Sequence, residues 1–308
     1  MSTIAFSSVS HSSNSTSTHS TSTHSISTYP ENAHSTNIHS YPTQLQQLIH
    51  RLQQTPYLTP LQTKEAVEQA NLSATDLMRW ASFDRPVTDS YGRKLVFDGG
   101  HFEIMVMSWL PGDFSAIHDH GATQWGAVQC FGVAEHLVYH LSDGYLSGPI
   151  SAPYTPRMVR AVDRDLIHQM GNSGNHPFLS LHVYGCADGS KRITGNARVF
   201  DLLESSVQHT DGGVFFNLPE ELINYRRYGL RANLETTLIH HCLMRDRVRR
   251  VLEDDDSLAQ LEVSQIQRLK RKLTLLDAAI YRLSNYRLSN YRLSSLAIAR
   301  RPIASRFL

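Results

Sequence analysis

The stretch Gly112-Asp113-Phe114-Ser115-Ala116-Ile117-His118-Asp119-His120 is the most informative part of this 308-residue chain. An H-x-H pair on a strand directs both imidazoles to one face of the sheet, because strand side chains alternate with a period of two. A third histidine opens His168-Gln169-Met170-Gly171-Asn172 and supplies a ligand from a distant strand. Neutral imidazoles suit iron, nickel, copper or zinc. The sequence therefore predicts a metal site built from His118, His120 and His168.

The bulk composition narrows the class of protein. Lysine and arginine number 29 against 28 aspartates and glutamates, which argues against nucleic acid as the main partner. The three cysteines, Cys130, Cys186 and Cys242, form no C-x-x-C motif, so we expect a reducing cytoplasm rather than a disulfide framework. We find no apolar run of about 18 residues and no secretory leader pattern. We therefore expect a cytoplasmic protein with no membrane partner.

The central part of the chain has the texture of a β domain. From Tyr91 to Leu203, short alternating or apolar runs are separated by Gly, Pro and Asp. Many short strands with turn signals between them are typical of an antiparallel sandwich or barrel. The runs that predict strands are 102–107, 134–141, 157–162, 178–183 and 197–202.

Helical patterns flank this region on both sides. Over 42–83, apolar residues at helical spacing predict one helix, a second from near Thr63 and a third with Ser73 as its N-cap. Over 219–280 the pattern is again helical, with a helix start at Leu218-Pro219-Glu220-Glu221. This second region is consistent with a helical hairpin packed either on the β domain or on a partner protein.

Both ends of the chain have a biased composition. Residues 1–40 are mostly Ser, Thr and His, with too few apolar groups to offset chain entropy. The end repeats Tyr281-Arg282-Leu283-Ser284-Asn285 with a five-residue period that matches neither helix nor strand. Weaker alternatives are loose metal binding by the first tail and contact with RNA or a membrane surface by the last. We expect a disordered tail over 1–40, a β domain over 41–205, a helical extension over 206–280 and a basic, disordered tail over 281–308.

The two histidine segments resemble the signature segments of the cupin superfamily, which are small double-stranded β-barrels with a metal inside one end. In cupins three or four residues separate the second histidine from a metal-binding glutamate, but here the corresponding positions are Gln124 and Trp125. The resemblance therefore implies a metal held by three neutral histidines without an acid. Such a metal keeps its full charge and has open positions for a thiolate, an amine and O2.

Further motifs resemble one cupin family, the thiol dioxygenases of the cysteine dioxygenase type I family. Tyr91-Gly92-Arg93 precedes the strand that leads to Pro111-Gly112, where the family has a Tyr-x-Arg whose arginine meets the substrate carboxylate. A guanidinium suits a carboxylate because it donates two parallel hydrogen bonds. A glutamine replaces this arginine in relatives that prefer 3-mercaptopropionate, so Arg93 favours cysteine. Tyr91 is expected in the substrate site or packed beside it.

The segment Ser180-Leu181-His182-Val183-Tyr184 matches the family's Ser-x-His-x-Tyr. On a strand the three polar residues share one face. In the family they form a hydrogen-bonded relay whose tyrosine hydroxyl reaches the substrate and O2. The resemblance therefore implies catalytic roles for Ser180, His182 and Tyr184, and it covers residues 43–200.

One feature departs from the mammalian members of the family. They carry a cysteine five residues after the H-x-H, joined by a thioether to the relay tyrosine, and here that place is Trp125, followed by Gly126. Cys130 and Cys186 do not match it. We therefore expect no such crosslink, as in many bacterial members.

Together, these resemblances imply an Fe²⁺-dependent oxidoreductase that uses O2 to convert L-cysteine to cysteine sulfinate. The expected partners are a small-molecule thiol and O2, and the C-terminal helices are a candidate surface for a protein partner. Two alternatives stay open: a dioxygenase for another small thiol acid such as 3-mercaptopropionate, and a non-catalytic cupin that binds metal as a sensor or scaffold. The unmatched C-terminal extension motivates the second alternative.

Overall fold

The computed structural model describes residues 38–187 and 192–299, with side chains in the last helix as far as residue 287. The Ser/Thr/His-rich stretch before Ile38 lies outside the described residues, and so does the expectation of disorder there. The described chain opens with a short 3-10 turn at Ile38–Ser40.

Three helices precede the sheets and follow from their local sequence. The first buries a stripe of leucine and isoleucine at helical spacing. The second begins before the predicted Thr63, because Thr59 and Gln62 form a capping box around its first turn. The third begins after the predicted N-cap, Ser73, which is confirmed. Their bounds are α1 (Thr43–Gln54), α2 (Pro60–Ala70) and α3 (Ala74–Leu77).

Twelve strands lie in the described residues, and each of the five predicted runs overlaps one of them. Several others were not predicted, because short apolar or mixed runs carry little periodicity. The strands are β1 (Gly92–Asp98), β2 (Phe102–Trp109), β3 (Trp125–Cys130), β4 (Glu135–Ser142), β5 (Tyr145–Ser151), β6 (Val159–Asp163), β7 (Ile167–Gly171), β8 (Phe178–Gly185), β9 (Ala197–Asp201), β10 (Ser206–Thr210), β11 (Tyr225–Tyr228) and β12 (Arg231–Ala232).

The strands form three sheets that together make a barrel. A five-stranded sheet has the order β1-β2-β8-β3-β6, a four-stranded sheet the order β12-β5-β4-β7 and a three-stranded sheet the order β11-β10-β9. Within the described strands, every pairing except that of β12 with β5 is antiparallel. Isolated bridges of His118 with His168 and with Val199 join segments between sheets. The prediction of a mainly β barrel with flanking helices is confirmed.

Alternation along β2 separates the two faces of the large sheet. Ile104 and Val106 pack outward in one cluster with the buried stripe of α1. Met105, Met107 and Trp109 belong to the inner cluster. A fully buried side chain of this size contributes about 1.5–3 kcal/mol to folding. The helices therefore close the outer face and leave the barrel interior for the site.

The stretch after residue 205 differs from the predicted helical extension. Strands β10 and β11 occupy part of it, and the predicted helix start leads only to a 3-10 turn at Glu220–Leu222. Pairing of β10 with both β9 and β11 overrides the local helical signal. The first long helix begins at Leu234, where the Asn233 side chain accepts the N–H of Thr236. The helices are α4 (Leu234–Glu253), α5 (Asp255–Ala259) and α6 (Val263–Ala299).

Helix α6 also corrects the expectation of a disordered repeat tail. The helix continues through residues 281–299, and its sequence contains neither Gly nor Pro, the residues least favourable in a helix interior. Helices α4 and α6 form a hairpin on the barrel, the first of the two predicted alternatives, with Met244, Val248 and Leu276 in the inner cluster.

Within the described ranges, every helix is too short or too polar to span a bilayer.

Candidate metal centre

The H-x-H pair lies on an extended connection rather than on a regular strand. His118 donates its backbone N–H to the carbonyl of His168 and accepts the N–H of His168, both at 2.9 Å. His168 lies on β7. The prediction of a strand at His118–His120 was therefore wrong, but these bridges hold the backbone extended and bring the pair beside the third histidine.

The three imidazoles converge inside the barrel. The Nε2 atom of His168 lies 3.1 Å from the Nε2 atoms of both His118 and His120. The candidate ligand atoms all lie within 4.8 Å of one another, and all three side chains are buried. Elsewhere in the part of the chain that the structure describes, no comparable group of histidines, cysteines and carboxylates occurs.

This cluster fits a divalent transition metal. Burial lowers the pKa of His118 to about 4 and lowers the pKa values of His120 and His168 well below the usual value, so the rings are neutral near pH 7. Neutral rings present lone pairs, and lone pairs 3.1 Å apart repel unless a proton or a cation lies between them. Three nitrogen donors with no acid leave a bound metal its full charge.

The carboxylate and the amide nearest the ligands are engaged elsewhere. Asp119 accepts the backbone N–H groups of Gly121 and Arg198 at 3.2 and 2.8 Å, and it pairs with the guanidinium of Arg198. Gln124 accepts the N–H of Ala187 on Oε1 at 3.0 Å. Position 124, one of the two where the cupin pattern places a glutamate ligand, thus fastens a neighbouring loop.

A hydrogen-bonded chain of three side chains runs along β8 and ends beside the ligands. The Ser180 Oγ atom lies 2.8 Å from His182 Nε2, and His182 Nδ1 lies 2.8 Å from the Tyr184 hydroxyl. The rings of Tyr184 and His120 have centroids 5.0 Å apart. The relay geometry predicted from the sequence is therefore present, with all three side chains buried.

The direction of this chain is set by Trp109, which the sequence analysis did not single out. The indole N–H can only donate, and it gives its hydrogen to Ser180 Oγ at 2.8 Å. Trp109 and His182 are the hydrogen-bond partners of this hydroxyl among the described residues, so the hydroxyl of Ser180 donates to Nε2 of His182, and Nδ1 of His182 donates to the oxygen of Tyr184. Burial keeps His182 neutral by lowering its pKa to about 3, and burial raises the pKa of Tyr184. The hydroxyl hydrogen of Tyr184 is thereby left to donate into the cavity.

Arg93, on β1, brings a positive charge to the cavity wall. Its Nη2 atom donates to Thr194 Oγ1 at 3.4 Å. Burial lowers the pKa of Arg93, and the nearby carboxylate of Glu103 opposes that shift. A guanidinium in a cavity wall is suited to an anionic group.

Tyr91 lines the same cavity but is held by packing. Its ring stacks on that of Trp109, with ring centroids 4.7 Å apart, and the centroid of the Phe215 ring lies 5.0 Å away. The backbone of Val214 forms a hydrogen bond with the hydroxyl of Tyr91, and burial raises the pKa of that hydroxyl. Tyr91 therefore contributes a rigid wall beside Arg93.

A single cavity joins the ligand cluster, the end of the relay and Arg93. Ser180 lies behind His182 and does not contribute to the cavity wall. The remaining wall is largely apolar, with Met105, Met107, Met170 and Val214. His118, His120, His168, Tyr184 and Arg93 therefore line the same cavity.

Gly126, rather than Trp125, faces the relay tyrosine. Counting along the sequence puts Trp125 at the family's crosslink position, but in the pairing of β3 with β8 Gly126 lies opposite Tyr184. A Cβ atom added to Gly126 would come within 2.9 Å of the tyrosine ring. Trp125 packs on the outer face, beneath the helices. The residue opposite the relay tyrosine carries no sulfur, and absence of the thioether stays a prediction.

A family model described as cysteine dioxygenase type I matches residues 16–135 of the chain. The matched part contains Tyr91, Arg93 and the H-x-H pair, and it ends before His168 and the relay. The resemblance to cysteine dioxygenase type I that the motifs predicted is therefore confirmed.

Several solved structures are similar to part of this chain. A Klebsiella pneumoniae protein described as having a double-stranded β-helix domain is 20% identical over 37% of this chain and 90% of its own, with a TM-score of 0.29. A protein from Thermus thermophilus is 21% identical over 37% of this chain and 98% of its own, with a TM-score of 0.30. An oxalate decarboxylase from Lactobacillus farciminis is 15% identical over 32% of this chain and 29% of its own, with a TM-score of 0.28.

Proposed function

We propose that this protein is an Fe²⁺-dependent thiol dioxygenase that oxidises L-cysteine with O2 to cysteine sulfinate. One observation carries the proposal: three neutral histidines, Arg93 and the hydroxyl end of a hydrogen-bonded relay line one buried cavity. The similarity of residues 16–135 to cysteine dioxygenase type I supports the same chemistry.

The three ligand histidines would hold the metal through their Nε2 atoms. When bound, ferrous iron supplies activation of O2 and positions for the thiolate and the amine of the substrate. The backbone bridges between His118 and His168 fix two of the ligands relative to each other before any metal arrives. Such preorganisation keeps the ligand geometry from depending on mobile loops.

Arg93 would bind the carboxylate of the substrate through its guanidinium. A substrate fixed at its carboxylate has its amine and sulfur confined near the ligand cluster, which replaces a bimolecular encounter with an oriented one. The apolar wall, which includes Met105 and Met107, limits water around these groups and strengthens their electrostatic contacts.

Tyr184 would donate its hydroxyl hydrogen to oxygen that gains negative charge during the reaction. His182 and Ser180 would hold this hydroxyl, and Trp109 would fix the direction in which it donates. Both oxygen atoms are added to the sulfur, which is oxidised while O2 is reduced. No external reductant is required for this balance.

We further propose a cytoplasmic location, because a thiol substrate stays reduced in that compartment. We also propose a protein partner for the helical hairpin of α4 and α6. Tyr281 and Tyr286 on α6 are 70% and 61% exposed and offer aromatic contacts to such a partner.

The test is anaerobic loading with Fe²⁺ followed by addition of cysteine and ¹⁸O2, with mass detection of the product and an oxygen electrode. We expect sulfinate that carries two ¹⁸O atoms and O2 uptake that matches cysteine consumption. Bound iron without O2 uptake for any thiol would contradict the enzymatic proposal and favour a metal-binding cupin sensor or scaffold. Faster turnover of 3-mercaptopropionate than of cysteine would contradict only the cysteine assignment.

A further inference from the structure

A fourth buried histidine, His136 on β4, lies directly behind the third ligand. Its Nε2 atom is 2.8 Å from Nδ1 of His168, the ring nitrogen that faces away from the other two ligands. The two ring centroids are 5.0 Å apart and the rings are inclined by 75°. Only 3% of His136 is exposed, so water does not compete for this contact.

The protonation of this pair follows from what holds His136 on its other side. Nδ1 of His136 lies 3.1 Å from the carbonyl oxygen of Ala152, which can only accept. A neutral His136 therefore carries its hydrogen on Nδ1 and has a lone pair on Nε2. His168 must then carry its hydrogen on Nδ1, and its own Nε2 lone pair points toward the other ligands.

The fold fixes His136 firmly enough to impose this arrangement. The backbone N–H of Ala152 donates to the carbonyl of His136 at 2.8 Å, so the two residues are joined twice. Tyr154 packs edge-on against the His136 ring, with centroids 5.2 Å apart. In the pairing of β4 with β7, Val138 lies opposite His168. His136 is two residues before Val138 on β4, so its side chain lies on the same face as that of His168 and diagonally across from it.

The three ligands differ in this outer contact. Nδ1 of His118 lies 2.9 Å from the carbonyl of Ala116, two residues away in sequence. Nδ1 of His120 has no partner among the described residues. Only His168 uses a side chain from another strand for this contact.

We propose that His136 is a positioning residue that sets the tautomer and orientation of His168 and thereby the metal affinity of the centre. The proposal rests on metal binding at the site assigned above. Outer contacts of this kind typically change metal affinity by about 10–100-fold. The matched variants are His136→Leu, which removes the acceptor, and His136→Gln, whose amide oxygen replaces it. The control is His240→Leu, which removes an equally buried histidine from α4.

The first readout needs no metal. In ¹⁵N-histidine-labelled protein, long-range ¹H–¹⁵N spectra report which nitrogen of His168 carries hydrogen, and His168→Asn identifies its signals. We expect hydrogen on Nδ1 in the wild type and in His136→Gln, and a mixture of tautomers in His136→Leu. Hydrogen on Nε2 of His168 in the wild type would overturn the proposal, even if no variant folded.

The second readout is the dissociation constant for Fe²⁺ or Co²⁺, measured by competition with a chelator. We expect it to rise about 10–100-fold in His136→Leu, to return most of the way in His136→Gln and to stay unchanged in His240→Leu. Equal affinity in wild type and a folded His136→Leu would overturn the proposal. Wild type that binds neither ion would instead refute the proposed function, and the tautomer measurement would still decide the role of His136.

Discussion

Two clusters of buried histidines in the described part of the chain differ in where their lone pairs point. In the barrel, three Nε2 atoms converge within 4.8 Å. On α4, His240 and His241 are adjacent in sequence, their Nδ1 atoms are 3.2 Å apart, and their ring planes are inclined by 60°. Nε2 of His240 accepts the backbone N–H of Leu202 at 3.4 Å. In the helix pair, one imidazole lone pair is therefore used in a hydrogen bond to the backbone.

This difference shows that burial and number of histidines do not define a metal site. In the barrel, acceptors behind His118 and His168 hold the outer hydrogens and leave the inner lone pairs unused. On the helix, Nδ1 of His240 faces Nδ1 of His241 and Nε2 of His240 faces the backbone of Leu202, so the lone pairs of this pair do not converge on one point. Hydrogen-bond direction, rather than residue type, separates a site from a packed core.

Removal of one ligand gives the largest expected contrast between the clusters. His168→Ala should weaken Fe²⁺ binding by more than about 100-fold and abolish thiol-dependent O2 uptake, because two imidazoles cannot retain the ion. His240→Leu should leave both unchanged. Chelator competition and an oxygen electrode measure the two effects. Comparable loss of iron in both variants would contradict the conclusion that only the barrel cluster is a metal site.

The relay of the barrel has no counterpart at the helix pair, and Tyr184→Phe tests it. We expect kcat for cysteine to fall by about 100-fold, because one hydrogen-bond donor to developing charge is lost. Iron affinity should stay the same. Tyr139→Phe is the matched control, since it removes another buried hydroxyl, which lies 3.5 Å from Gln169. Steady-state kinetics that leave kcat intact in Tyr184→Phe would assign Tyr184 to packing alone.

Arg93→Gln compares the loss of a positive charge in the barrel cavity with the loss of one on helix α4. Loss of a charge-assisted contact with the carboxylate should lower kcat/KM for cysteine by about 10–100-fold. The loss for 3-mercaptopropionate should be smaller, because a glutamine replaces this arginine in relatives that prefer that thiol. Arg249→Gln removes a positive charge from α4, where Arg249 pairs with Asp277, and should leave both substrates unaffected. Equal losses for the two thiols would argue against a carboxylate contact that selects cysteine.

The smallest effect concerns stability against acid. Burial lowers the pKa of His240 to about 4, below the unfolded value of 6.5, so the unfolded state binds more protons between these values. Stability should therefore fall as pH drops through this window, and His240 should account for about 2 kcal/mol of the loss between pH 7 and 5. Urea denaturation of metal-free wild type and His240→Leu measures the difference. Identical pH slopes would show that His240 does not titrate as a buried group.

Much of the candidate site was predictable because its motifs are short. His118 and His120 are two residues apart, and the relay residues alternate along one strand, so local periodicity is enough to place them on one face. Their resemblance to a known family then linked these motifs to His168 and Arg93. The mainly β core followed from the same short-range patterns.

The contacts that orient these residues were not predictable, because they depend on strand register. Trp109 and Ser180 are 71 positions apart, and His136 and His168 are 32 apart. A shift of one residue in either pairing would turn these side chains to the opposite face. The strands after residue 205 were missed for the same reason, since pairing with β9 outweighed a local helix start.

The bare backbone at Gly126 has a chemical consequence for the whole polypeptide. Because glycine lies opposite Tyr184, position 126 supplies no thiol for a cysteinyl–tyrosine bond. The predicted absence of the crosslink would leave no oxidative processing step at Tyr184 between translation and use. Under the proposed function, loading with iron and the supply of thiol would then set the turnover rate of each molecule.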